Sequence, residues 1–279
     1  FENRGSYKQS LKGHIDDIGL FANVGYKVSD NSTLSLYGRF DDHKTTGLNE
    51  TYKTNLTTKI ENFKIGASHS TGLRNPSLYE LYGSADYNYK GNRNLDAEKS
   101  KTNEIFASYD LQDNLTIKTT AYRSTIFDRI EQTSNFRSYE NKKLDLNQEG
   151  LESELIFIGK NQKISLFTNF SKSETTSGSD QLRRPDVTYG LNYFKKFNNS
   201  PIGNFDMNLN YKFTGKHWDY LSGNVVVKST HIVNMTASKN FYGTIWNLNI
   251  SNLLNERYER PITYSQDGIK FRIGFKRKY

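Results

Sequence analysis

The chain has 279 residues with a net charge of +8, yet only 34% of it is hydrophobic and its mean hydropathy is −0.78. It has no cysteine, which excludes a disulfide scaffold, a zinc finger and a thiol nucleophile. No run of about 18 apolar residues exists, so no transmembrane helix is expected, although barrel strands need only about ten alternating residues to span a membrane.

The residues before Lys12 carry no apolar signal-peptide core. Period-two alternation then recurs along the chain, putting apolar side chains on one face and polar ones on the other. Ile18, Leu20, Ala22, Val24 and Tyr26 alternate with Gly19, Phe21, Asn23, Gly25 and Lys27. Leu34, Leu36 and Phe40 alternate with Ser35, Tyr37, Arg39 and Asp41. Further strands are expected at 51–60, 63–68, 105–111, 115–126, 147–158, 163–174 and 186–197. The cleanest case is Phe205, Met207, Leu209, Tyr211 and Phe213, interleaved with Asp206, Asn208, Asn210, Lys212 and Thr214. Strands at 229–239 and 244–251 follow, and Gly268–Tyr279 closes the series with Phe271, Ile273 and Phe275 against Lys270, Arg272 and Lys276. The total is about thirteen strands, and no helix-period segment of useful length appears.

Tight connections are expected near Ser29–Thr33, Ile60–Asn62, Gln112–Asn114, Gly159–Lys163, Asn198–Asn204 and Asn240–Gly243. Long ones are expected near Asp42–Glu50, Thr71–Lys101, Phe127–Leu146, Thr175–Pro185, Gly215–Lys228 and Leu253–Gly268. Short and long alternate from end to end. In an antiparallel meander this puts all short turns on one rim and all long loops on the other, the asymmetry of outer-membrane barrels. Sandwiches and propellers have no reason to produce it. The expected fold is therefore all-β, an antiparallel up-and-down transmembrane β-barrel with its apolar row toward lipid and its polar row toward a wet or plugged lumen. The odd strand number and the unpaired edge of the first strand suggest part of a larger barrel, since a long open edge invites aggregation.

Five blocks punctuate the loops and strand starts. They are Gly72-Leu73-Arg74-Asn75-Pro76-Ser77-Leu78-Tyr79-Glu80-Leu81-Tyr82-Gly83, Gly91-Asn92-Arg93-Asn94-Leu95-Asp96-Ala97-Glu98-Lys99-Ser100 followed by Glu104, Gln148-Glu149-Gly150-Leu151-Glu152, Leu182-Arg183-Arg184-Pro185 and Asn252-Leu253-Leu254-Asn255-Glu256-Arg257-Tyr258. In this order and spacing, with a terminal aromatic strand, the chain from about residue 14 to Tyr279 resembles the barrel of TonB-dependent outer-membrane receptors, most like the vitamin B12 (cobalamin) receptor branch. Asn75 and Ala97 depart from the Ala and Pro usual at those places. The resemblance implies that residues 1–279 form the C-terminal part of a barrel of about 22 strands, without the family's N-terminal plug or TonB box. It also implies a location in the outer membrane of a Gram-negative bacterium, among lipid and lipopolysaccharide. The implied activity is energy-coupled uptake of a scarce, bulky ligand through a plug driven by the TonB complex. That ligand is expected to be cobalamin or another corrinoid, with a ferric siderophore or a passive porin-type channel as alternatives.

Site residues follow from the same reading. Arg39, Asp41, Glu104, Glu152, Glu154, Lys270 and Arg272 fall on the expected lumen face, where they either pair with a plug or stay solvated. Tyr82, Tyr87, Tyr89, Trp218 and Tyr220 lie in two long loops, where they either stack on a ligand or serve as interfacial and packing residues. Tyr279 resembles the terminal aromatic read by the outer-membrane assembly machinery. No catalytic residue, cofactor or metal is expected. The five histidines lack the His-x-x-x-His spacing of a zinc protease, and no Gly-x-Ser-x-Gly elbow is present. Lys and Arg are scattered rather than gathered, and no nucleic-acid motif appears.

Overall fold

The computed structural model describes residues 5–6, 9–10, 16–84, 89–220 and 223–277. Tyr87 and Tyr279 lie outside the described residues, as does Ile15. Among the described residues, thirteen long strands make up the main sheet. The first seven are β1 (Asp17–Lys27), β2 (Ser32–His43), β3 (Gly47–Ile60), β4 (Phe63–Arg74), β5 (Glu98–Gln112), β6 (Leu115–Phe127) and β7 (Leu146–Gly159). The rest are β8 (Gln162–Thr175), β9 (Val187–Phe197), β10 (Phe205–Thr214), β11 (Thr230–Phe241), β12 (Thr244–Ser251) and β13 (Lys270–Arg277). They form one 13-stranded sheet in chain order, with β1 and β13 as its two edges. Every neighbouring pair is antiparallel.

The register separates the two faces. On the outer face one row of direct partners runs Phe63, Tyr109, Ile117, Leu155, Leu166, Leu191, Tyr211 and Val233. This apolar row begins at the short-turn end of β4 and finishes near the long-loop end of β11, the stagger that tilted barrel strands require. These residues do not pack into a core. Tyr109 and Leu166 are 45% and 46% exposed, and elsewhere on the same face Leu20 and Ile273 are each 74% exposed. Aromatic pairs mark the short-turn border of this face: Phe63 with Tyr109, Phe197 with Phe205 and Trp246 with Phe275. Tyr52 with His69, and Tyr189, Tyr211, Phe213 and His231 together, lie toward the other border. Two such borders around an apolar band match the aromatic girdles of a bilayer-spanning barrel. Near the long-loop ends of β6–β8 the outer face changes to Arg123, Glu149 and Lys172, directly opposite one another.

The inner face is polar. One of its rows reads Lys53, Ser70, Thr102, Ser124, Gln148 and Ser173. Three of its aromatics lie over glycines on the facing strand: Phe106 opposite Gly66, Tyr122 opposite Gly150 and Phe167 opposite Gly190. A Cβ on Gly66 would sit 2.3 Å from the Phe106 ring and 2.6 Å from the Leu56 carbonyl oxygen. The missing side chain gives the ring its place against the backbone, so an apolar group is covered without filling the concavity.

The connections alternate as expected, with one correction. The long connection expected near Asp42–Glu50 is the tight turn Lys44–Thr46, because strand pairing continues to His43 opposite Gly47. His43 Nδ1 accepts from the Thr45 and Thr46 backbone N–H groups, and Gly47 takes a φ of 69°. The remaining long connections carry their own structure. A single helical turn, α1 (Leu78–Tyr82), follows β4, where the sequence showed no helical period. Ile130–Gln132 pairs with Tyr139–Asn141, and His217–Tyr220 pairs with Asn224–Val227. The buried apolar cluster of Leu81, Leu95 and Ile130 lies among these loops rather than within the sheet. Among the described residues, this cluster sits at the long-loop rim, where it joins the β4–β5 and β6–β7 loops.

Candidate functional site

Direct cross-strand pairing carries the seven singled-out inner residues onto one face. Arg39 stands opposite Thr51, Glu104 opposite Ser68, Glu152 opposite Thr120 and Asn169, and Arg272 opposite Asn249. Asp41, Glu154 and Lys270 follow at two-residue spacing on the same strands. A cavity of about 520 Å³ lies over this face between Tyr37, Lys53, Glu104, Phe106, Thr120 and Glu152, so the face is concave from β2 to β7. A second, of about 600 Å³, reaches Glu154, Asn169 and Lys212.

The seven charges differ in what they already hold. Arg39 Nε donates to both Asp41 oxygens, at 2.8 and 2.7 Å, so this pair satisfies itself. Glu104 accepts from Ser68 Oγ at 2.7 Å and lies 3.8 Å from Lys53 Nζ. Glu154 accepts from Ser165 Oγ at 2.5 Å. Lys270 pairs with Asp267. Glu152 lines both cavities between these groups.

At the long-loop rim the local sequence explains the geometry. Ser77 and Glu80 form a capping box at α1: Ser77 N–H donates to Glu80 Oε2 at 2.7 Å, and Glu80 N–H donates to Ser77 Oγ at 3.3 Å. Arg74 Nη1 reaches both Glu80 oxygens at 3.1 Å, and its Nε reaches Glu98 at 2.6 Å. Glu98 in turn accepts from the Ile130 N–H at 2.7 Å. One arginine thus ties the β4–β5 loop to the β6–β7 loop through two carboxylates.

The loop aromatics divide. Tyr89 is 6% exposed, stacked on Tyr79 at 4.7 Å and edge-on to Tyr139 at 5.5 Å. Burial, with Tyr139 and Tyr79 beside it, pushes its hydroxyl pKa up. It is an interior packing residue here and presents no surface on which a ligand could stack. Tyr82 packs against the same cluster, with Arg93 over its ring at 5.0 Å. Trp218 and Tyr220 are 41% and 50% exposed.

Between them Asp219 is 0% exposed, and the sequence reading passed over it. Its Oδ1 accepts from Arg183 Nε at 2.7 Å and from the Tyr220 N–H at 2.8 Å, and its Oδ2 accepts from the Ile262 N–H at 2.9 Å. Burial raises the Asp219 carboxyl pKa, but the Ile262 N–H, the Arg183 guanidinium and the Tyr220 N–H outweigh it and hold the group below the usual carboxylate value. Arg183, at a φ of 63°, also donates its N–H to the Trp218 carbonyl at 2.6 Å. The Leu182-Arg183-Arg184-Pro185 block is therefore a structural joint. The signals for these residues were present: a Ser-x-x-Glu pair, and an acid between two aromatics on a two-residue period.

Residues 2–253 match the family model described as TonB dependent receptor-like, beta-barrel. Solved structures similar to this chain include the FrpB iron transporter from Neisseria meningitidis, at 18% identity and a TM-score of 0.74, covering 94% of this chain and 45% of that one. The siderophore receptor PirA from Acinetobacter baumannii aligns at 16% identity and a TM-score of 0.76, covering 95% and 46%. A mutant of the ferric enterobactin receptor PfeA from Pseudomonas aeruginosa aligns at 19% identity and a TM-score of 0.76, covering 96% and 45%. The chain spans under half the length of these structures, and at such identities they speak to the fold alone. With the family model covering most of the chain, on a thirteen-strand meander whose apolar face points out and whose polar face is concave, the chain belongs to the TonB-dependent receptor β-barrel family.

Proposed function

We propose that the chain is the C-terminal part of the barrel of an outer-membrane receptor that takes up a scarce, bulky ligand with energy delivered through the TonB complex. The observation that carries this is the pairing of two opposite faces in one sheet: an apolar band bounded by aromatic girdles outside, and an open polar trough inside. A trough lined with Glu104, Glu152, Lys53 and Lys212 suits a polar occupant, and a plug domain fits that description. Arg39 and Asp41 neutralise each other. Glu104, Glu152, Glu154 and Arg272 are the better candidates for contacts with such a plug. Outer-membrane lipid and lipopolysaccharide surround the outer face on this reading.

For the ligand, the solved structures named above are iron, siderophore and ferric enterobactin receptors, which supports a ferric siderophore ahead of a corrinoid. Exposed Trp218 and Tyr220 are the loop aromatics proposed to meet it, with Tyr82 of the β4–β5 loop a further candidate. Binding of ferric enterobactin, ferripyoverdine and cyanocobalamin to the complete receptor in detergent tests this. A ferric siderophore is expected to bind and cyanocobalamin not. Binding of cyanocobalamin alone would restore the corrinoid reading, and energy-independent permeation of small solutes would favour a passive channel.

A further inference from the structure

We propose that Asp219 is a positioning residue that fastens three long loops into one unit and turns Trp218 and Tyr220 outward. The three loops are 176–186, 215–229 and 252–269, which leave the sheet after β8, β10 and β12. They are remote in sequence, and each sends one donor to the same carboxylate: Arg183 from the first, Tyr220 from the second and Ile262 from the third. A fully buried carboxylate with three donors has its charge distributed over the elements it joins. Removing it leaves the Ile262 N–H of the third loop without its acceptor and releases the Arg183 side chain of the first, which is 60% exposed, into solvent. In the paired segment His217–Tyr220 side chains alternate between faces, so fixing Asp219 inward fixes Trp218 and Tyr220 outward. A cavity of about 150 Å³ lies at this joint, lined by Asp180, Arg184, Lys216, His217 and Trp218 from two of the three loops. The surface offered to the outside is therefore a composite whose parts cannot move independently while the carboxylate is in place.

The test uses the complete receptor in detergent, with Asp219→Ala and Arg183→Ala. Hydrogen–deuterium exchange reads the loops, and hydroxyl-radical footprinting reads the accessibility of Trp218 and Tyr220. In Asp219→Ala, exchange at Tyr220 and Ile262 and across 176–186 is expected to rise together, on the order of tenfold. Oxidation of Trp218 and Tyr220 is expected to shift by about threefold or more, while strand exchange and heat-modifiable gel mobility stay unchanged. In Arg183→Ala only 176–186 is expected to loosen, with Ile262 still protected by the remaining carboxylate. An increase confined to 217–227 in Asp219→Ala, or unchanged oxidation of both aromatics, would overturn the proposal. It rests on the reading of these loops as ligand-facing, but neither measurement uses a ligand. Failure to bind any siderophore or cobalamin would sink the uptake reading and leave the clamp standing.

Discussion

Leu209 and Asn210 are adjacent in β10 but point to opposite faces of the sheet, so the same substitution is expected to cost far more at one than at the other. Leu209 sits mid-strand between Tyr193 and Met235 on the outer face. Asn210 stands between Asn192 and Asn234 on the inner face, where its amide donates to Asn192 Oδ1 at 2.5 Å. An arginine at 209 would place a guanidinium near the middle of the apolar band, where the cost is about 2–4 kcal/mol. That lowers the folded fraction relative to the unfolded by roughly thirty- to a thousandfold. An arginine at 210 loses one amide hydrogen bond, about 1 kcal/mol, and points into a wet, partly acidic trough that tolerates it. Unfolding by urea in liposomes, followed by the loss of heat-modifiable mobility, measures both variants of the complete receptor. Equal destabilisation, or a greater loss for Asn210→Arg, would refute the assignment of the outer face to lipid.

Other consequences follow from the rim and the trough. Arg74→Ala leaves the Glu80 and Glu98 carboxylates without their shared partner. Because the Arg74 side chain is 45% exposed, the loss is discounted to about 1–2 kcal/mol and read as faster limited proteolysis within 75–97. Asp219 has a folded pKa below its unfolded one, so its contribution is fully present above the ordinary carboxylate value of about 3.9 and is lost as pH falls through the lower folded value. Acid loosening of 176–186 and 252–269 should therefore appear only below about pH 4 and be absent from Asp219→Asn, as exchange-quench experiments would show. Gly66→Val should destabilise the β3–β4–β5 region by about 1–3 kcal/mol through the clash with Phe106 and the Leu56 carbonyl, and Phe106→Ala in the same chain should recover part of that loss. Trp218→Ala should weaken ligand binding on the order of tenfold with loop exchange unchanged, which separates contact from clamping.

Alternation at period two was enough to read thirteen strands, their faces and the two rims from the residues themselves. It succeeded because each strand's pattern is local, and a sheet with one apolar and one polar face repeats it from strand to strand. The family blocks were legible for the same reason, as fixed local runs such as Ser77-Leu78-Tyr79-Glu80. What a side chain meets across forty residues of chain was not legible. Tyr89 and Tyr220 look alike in sequence, yet one is buried against Tyr79 and the other faces outward. The Asp42–Glu50 stretch looked like a loop until pairing of His43 with Gly47 showed the strands continuing through most of it. Asp219 looked like one of many acids until Arg183 and Ile262 converged on it. Burial, ion pairing and the joining of remote loops depend on which segments the register brings side by side, and only the folded sheet sets that register.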